Sequence, residues 1–171
     1  MSSVDTVVDV PGTRWGDGLV VVLGAASCLA AGSFVADFGP SRVYVANLAL
    51  HMVISAGLAQ RRRRVVASYV AVYAGLAGLS LLVLTSPVSL GVSPILLAAP
   101  ISLYAISRHG PTPRWGVLAL LLALVGSFGS PAARPPTPTA GPSVFVVSTM
   151  VLIHVLILVA VYLVAAERRR T

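Results

Sequence analysis

Few residues in this chain could do acid–base, nucleophilic or metal chemistry: three histidines, one cysteine and five carboxylates among 171 residues. Asn47, His51 and Ser55 recur at intervals of four, a spacing that stacks them on one face of a helix. Tyr69 and Tyr73 repeat the interval, and His154 lies near the middle of a later apolar stretch, as His51 does in its own. Polar groups inside long apolar runs are the default functional candidates, because placing them in lipid without partners is costly. Asn47, His51, Ser55, Tyr73 and His154 could line a polar pocket in which the two histidines face one another. Such a pocket would bind a small ligand or sense protonation. The plainer use, which we favour, is that each hydrogen-bonds a neighbouring helix, an interaction typically worth about 0.6 kcal/mol.

The missing groups narrow the chemistry further. Asp17 and Asp37 flank the first apolar stretch and Glu167 closes the last, so no carboxylate lies inside any of them. Proton and cation relays in pumps usually need such groups, which disfavours a coupled transporter. No paired carboxylates, His-Glu metal motif, glycine-rich phosphate loop or serine triad can be assembled. Cys28, standing alone, rules out an internal disulfide or a cysteine-rich metal site. His109, in the stretch from Arg108 to Arg114, reads as a solvated loop residue within reach of phosphate headgroups. Neither an intrinsic enzymatic activity nor a cofactor or metal is expected.

These residues must be carried by membrane helices. The chain is 57% hydrophobic and 10% charged, against about 45–50% and about 25% for a soluble domain. A bilayer core of about 30 Å needs about 20 apolar residues per helix, and six uncharged stretches approach that length: 18–36, 43–60, 65–85, 92–107, 115–130 and 143–166. The expected fold is an all-α integral membrane bundle of about six transmembrane helices, with residues 1–17 and 167–171 as its cytoplasmic ends. The fourth and fifth stretches are short. Pro94 and Pro100 each remove a backbone donor from the fourth, which neighbouring helices or water would have to offset.

The arginines orient the bundle. Six spans with an inner N-terminus put Arg14, Arg61, Arg62, Arg63, Arg64, Arg108, Arg114, Arg168, Arg169 and Arg170 on the cytoplasmic side and only Arg42 and Arg134 outside. Removing one span would place the C-terminal arginines on the wrong face. The net charge of +7 and pI near 10.8 therefore record topology, and nucleic acid is not an expected partner. Trp15 and Trp115, each following an arginine, read as headgroup anchors at the same interface. The Arg61–Arg64 run is first of all a topological anchor; as a patch it could also bind anionic lipid, at about 1 kcal/mol per basic residue.

Three smaller features complete the reading. Residues 18–27 could be a signal-peptide core before Cys28, but Asp5, Asp9 and Asp17 stand against one arginine there, and the apolar run continues to spanning length. The segment 131–142 holds five of the twelve prolines and reads as an extended spacer or lid. Gly24, Cys28 and Gly32 on the first span, and Ala71 with Gly75 or Ala74 with Gly78 on the third, form small-residue ridges suited to close helix packing within the chain or between two copies.

The order of a span ending in Gly57-Leu58-Ala59-Gln60-Arg61-Arg62-Arg63-Arg64, a further span, then Pro100-Ile101-Ser102-Leu103-Tyr104-Ala105-Ile106-Ser107-Arg108-His109 resembles the N-terminal membrane region of actinobacterial sensor histidine kinases. The closing Tyr162-Leu163-Val164-Ala165-Ala166-Glu167-Arg168-Arg169-Arg170 is similar to the point where those kinases leave the membrane. The likeness runs from about Gly18 to the end. In that family the arginine run is usually followed by Pro, where this chain has Val65, and none of His51, His109 or His154 occupies a phosphoacceptor motif. The 171 residues hold neither the dimerisation helix nor the ATP-binding domain. The resemblance thus implies a non-catalytic sensor or input module of a two-component system, split from a kinase or pairing with one. Its partners would be the lipid bilayer and either another membrane protein or a second copy. The alternatives are a small permease or transporter subunit, with polar residues of the second and sixth spans lining a pathway, and a structural membrane protein.

Overall fold

The computed structural model describes residues 13–86, 94–132 and 144–170. These form helices α1 (Thr13–Phe38), α2 (Arg42–Ala59), α3 (Val65–Thr85), a 3-10 turn (Pro94–Leu97) running into α4 (Ala98–His109), α5 (Pro113–Ala132) and α6 (Val144–Arg170). No strand occurs among the described residues. Four helical segments, Gly16–Phe38, Arg42–Ala59, Val65–Thr85 and Val151–Arg170, are long and apolar enough to cross a membrane. Large apolar side chains stand in the open on these helices, with Leu19 71% and Leu29 75% exposed. Helices apolar all round are stable as surfaces only where the surrounding medium is itself apolar.

The breaks between helices follow from backbone chemistry. After α1, Gly39 takes a positive φ of 83°, a conformation glycine adopts without steric cost. Pro40 follows, and the Ser41 side chain caps α2 by accepting from the Tyr44 N–H at 3.3 Å. After α2 the chain closes a tight turn in which the N–H groups of Arg63 and Arg64 both donate to the Gln60 carbonyl, at 3.0 and 2.9 Å. The turn takes the four arginines out of the apolar runs of α2 and α3. Between α4 and α5, the Gly110 N–H bonds the Ile106 carbonyl at 2.9 Å, and Pro113 opens α5 at a position whose missing donor would be unpaired in any case.

The two prolines of the fourth stretch need less help than its sequence implies. Pro94 opens the 3-10 turn and Pro100 falls in the first turn of α4, where helix N–H groups have no intrahelical acceptor. Helix α5 runs two residues past the stretch 115–130 at each end, and α6 runs past residue 166 to carry Arg168, Arg169 and Arg170 in its last turn.

Helix α2 packs between α1 and α3; α3 passes the contact to α4; and α4, α5 and α6 pack mutually. Val20, Ile54, Leu58, Val72, Ile95 and Ala98 form one buried cluster, and Tyr69, Leu103, Ile106, Ala119, Ala123 and Leu158 form another. Helix α3 contributes to both. The small-residue ridges serve this internal packing. A Cβ at Gly24 would lie 3.1 Å from Ser55 Cβ, one at Gly57 would lie 3.1 Å from Ala71 Cβ, and those at Gly75 and Gly78 would meet Ile54 and Leu50 of α2. Gly32, by contrast, has open space where its Cβ would be.

Candidate functional site

Two side chains of the polar face of α2, His51 and Ser55, bond backbone carbonyls. Asn47 and His51 are both buried, and His51 Nδ1 lies 2.8 Å from the Asn47 carbonyl oxygen. A carbonyl only accepts, so Nδ1 carries the hydrogen. Ser55 Oγ donates to the Gly24 carbonyl of α1 at 3.4 Å and lies 3.6 Å from Cys28 Sγ. On α3, the rings of Tyr69 and Tyr73 meet at a tilt of 39° with centroids 4.5 Å apart, and the Tyr73 hydroxyl donates to the Ala99 carbonyl of α4 at 3.5 Å. His154 is half-buried on α6, which packs against α4 and α5. The five candidates are thus spread over three helices, and α2 and α6 are not among the closely packed pairs.

The second gathering of functional side chains is at one end of the bundle. There the first turn of α1, the end of α2 and the end of α4 converge. Arg61 donates to the Asp17 carboxylate at 2.6 Å, to the Gly16 carbonyl at 3.1 Å and to the Leu58 carbonyl at 3.2 Å. Arg62 reaches the other carboxylate oxygen of Asp17 at 3.1 Å. One carboxylate so bridges two consecutive arginines. Burial pulls the Arg61 guanidinium below its ordinary pKa, and the adjoining Asp17 opposes that shift. Arg63 and Arg64 are exposed.

On the far side of the same end, α6 is tied to α4. Arg169 donates to the Ser107 carbonyl at 3.3 Å and to the Gly110 carbonyl at 2.9 Å. The Tyr104 hydroxyl accepts from Arg108 at 2.9 Å and from Arg168 at 3.5 Å. His109 sits among these cations: burial first, then Arg108, Arg62 and Arg169, hold its imidazole below the ordinary pKa. Arg114 is exposed at the start of α5, Trp115 beside it is half-buried, and both line a cleft of about 280 Å³ with Thr112 and Leu118. A second cleft, of about 200 Å³, is lined by Ser107, Pro113, Tyr162, Ala166, Arg169 and Arg170. Neither cleft includes Asn47, His51, Ser55, Tyr73 or His154. Trp15 falls in the first turn of α1, with its side chain outside the described residues, and residues 133–142 of the proline-rich segment, Arg134 among them, also lie outside them.

Among the described residues no three His, Cys, Asp or Glu side chains converge as metal ligands would. A family described as a domain of unknown function, DUF7134, matches residues 12–171. The chain belongs to the DUF7134 family. No curated protein and no solved structure matches it. For this DUF7134 chain the side chains that sequence spacing did not single out are Asp17 as a double arginine acceptor, Tyr104 as a shared one, and Ser107 and Tyr162 as cleft residues. Asp17 was visible as the last acidic residue before the first span. The others carry no local pattern, because their roles arise between helices far apart in sequence.

Proposed function

We propose that this DUF7134 chain is a non-catalytic, six-span module of the cytoplasmic membrane, with both ends inside, acting as the sensor or input region of a two-component system. The observation that carries the reading is the tie between the basic last turn of α6 and the end of α4, through Arg169 to Ser107 and Gly110 and through Arg168 to Tyr104. A shift of α6 against α4 within the bilayer would break or remake these bonds at the point where α6 leaves the membrane. The likeness of 57–64, 100–109 and 162–170 to sensor-kinase membrane regions supports the same assignment, as does the excess of arginine at that end. With His51 and Ser55 bonded to backbone carbonyls, the input would act on helix packing, from lipid or from a ligand between helices.

The test is capture of the full chain from detergent-solubilised native membranes. Recovery of a sensor kinase or response regulator is the expected result. Repeated recovery of none, together with solute uptake by vesicles containing the chain, would replace this reading with a permease.

A further inference from the structure

Helix α6 is longer than the bundle that holds it. At 1.5 Å per residue the uncharged part of α1, between Asp17 and Asp37, runs about 28 Å and that of α2, from Val43 to Ala59, about 26 Å. This hairpin is fastened at both ends. The rings of Phe34, Phe38 and Tyr44 meet at one, with centroids 5.6 to 6.2 Å apart, and Asp17 receives Arg61 and Arg62 at the other. Aromatic rings and arginines are the side chains that settle at membrane interfaces, so the hairpin sets an apolar thickness close to its own length. Helix α3 runs about 32 Å, α5 from Trp115 about 27 Å, and the 3-10 turn with α4 as far as Ser107 about 23 Å. From Val144 to Ala166, by contrast, α6 runs about 35 Å without a charge.

One end of α6 is fixed. Arg169 donates to the carbonyls of Ser107 and Gly110 at the end of α4, and Arg168 to the Tyr104 hydroxyl. The surplus over the α1–α2 hairpin, about 7 Å, therefore falls at the far end. Among the described residues α6 packs closely only against α4 and α5, so α1, α2 and α3 do not hold its inclination.

We propose that α6 is a tilting lever that reads bilayer thickness, pivoting on its bonds to the end of α4. About 35 Å of apolar helix enters a core of about 30 Å at a tilt of about 30°. A thicker bilayer stands α6 upright and a thinner one inclines it further, while the shorter helices keep their places. Each change of tilt bears on the bonds of Arg168 and Arg169. The proposal deepens the input-module reading by naming bilayer thickness as the input. An unmoving α6 would remove that input and leave the module, whereas failure to recover a kinase would remove the module and leave the tilt measurable.

The experiment places pairs of spin labels on the full chain, with Cys28→Ser, in phosphatidylcholine vesicles whose acyl chains run from about 14 to about 22 carbons. Distances are read by double electron–electron resonance. Labels on the exposed Leu152 of α6 and Val45 of α2 should shift steadily with chain length, by about 3 Å or more over the series. Labels on Glu167 and Arg63, beside the pivot, should hold their distance, as should Leu29 of α1 with Val70 of α3. Arg169→Gln should free the pivot and let the Glu167–Arg63 pair move as well. A constant Leu152–Val45 distance overturns the proposal, as does an equal shift in all three pairs, which would mean that the whole bundle deforms. A Glu167–Arg63 pair that stays still in the Arg169→Gln chain would overturn the pivot; should that variant misfold, the three pairs in the chain with Arg169 still decide the lever.

Discussion

Gly75 stands where α2 and α3 approach closely, and its missing Cβ is what admits the Ile54 side chain. Gly75→Ala should destabilise the bundle by about 1–3 kcal/mol, the usual cost of overpacking, read as an earlier unfolding midpoint in denaturing detergent. Ile54→Ala in the same chain should recover part of that loss, because the clash is with its Cγ1. His51→Leu removes the bond from Nδ1 to the Asn47 carbonyl. Its cost should be near 0.6 kcal/mol, with membrane insertion intact; complete loss of folding would mean that the imidazole holds more than its own helix. The spacing of Asn47, His51 and Ser55 showed in the sequence that they share a face. Periodicity names a face and not the neighbour it meets, so Ser55 facing Gly24 and Cys28 of α1 could not be read from it. The Cys28 thiol, half-buried beside Ser55, is expected to give no disulfide-linked dimer on oxidation; a dimer would show that α1 leaves α2.

The helices were more legible than their partners. Charges bound the first two uncharged stretches, and the structure begins α2 and α3 at Arg42 and Val65, within a residue of those limits. The fourth was obscured because its prolines read as interruptions, whereas they sit in first turns where a donor is dispensable. Ties between helix ends were invisible, since Arg169 and Gly110 lie 59 residues apart. These ties carry a pH dependence. His109 is held below its ordinary pKa, so the folded chain resists a proton that the unfolded chain accepts. Stability should therefore fall as pH drops below about 6.5, and His109→Gln should flatten that fall, measured as melting temperature between pH 7.5 and 5. An unchanged slope would exclude His109 as its source. At the other corner, Asp17→Asn should cost about 1 kcal/mol or less, because the carboxylate is 43% exposed and such pairs are screened.

At the scale of the molecule, one end collects the arginines. The bonds of Arg61 to α1 and of Arg169 to the α4–α5 turn bring the start of α1, the end of α2, the end of α4 and the end of α6 together. Arg42 begins α2 at the opposite end. The proposed up-and-down bundle with a cytoplasmic basic end requires its arginines to gather in this way. A ligand or a partner leaves no comparable mark in either charge or spacing, so the sequence names no input signal. The most direct measurement of the account is a set of reporter fusions after Pro40, Arg64, Pro87, Pro113, Pro136 and Thr171. Cytoplasmic signals after Arg64, Pro113 and Thr171 with external signals after Pro40, Pro87 and Pro136 are predicted; an external Thr171 would contradict the six-span bundle and the role proposed for its basic end.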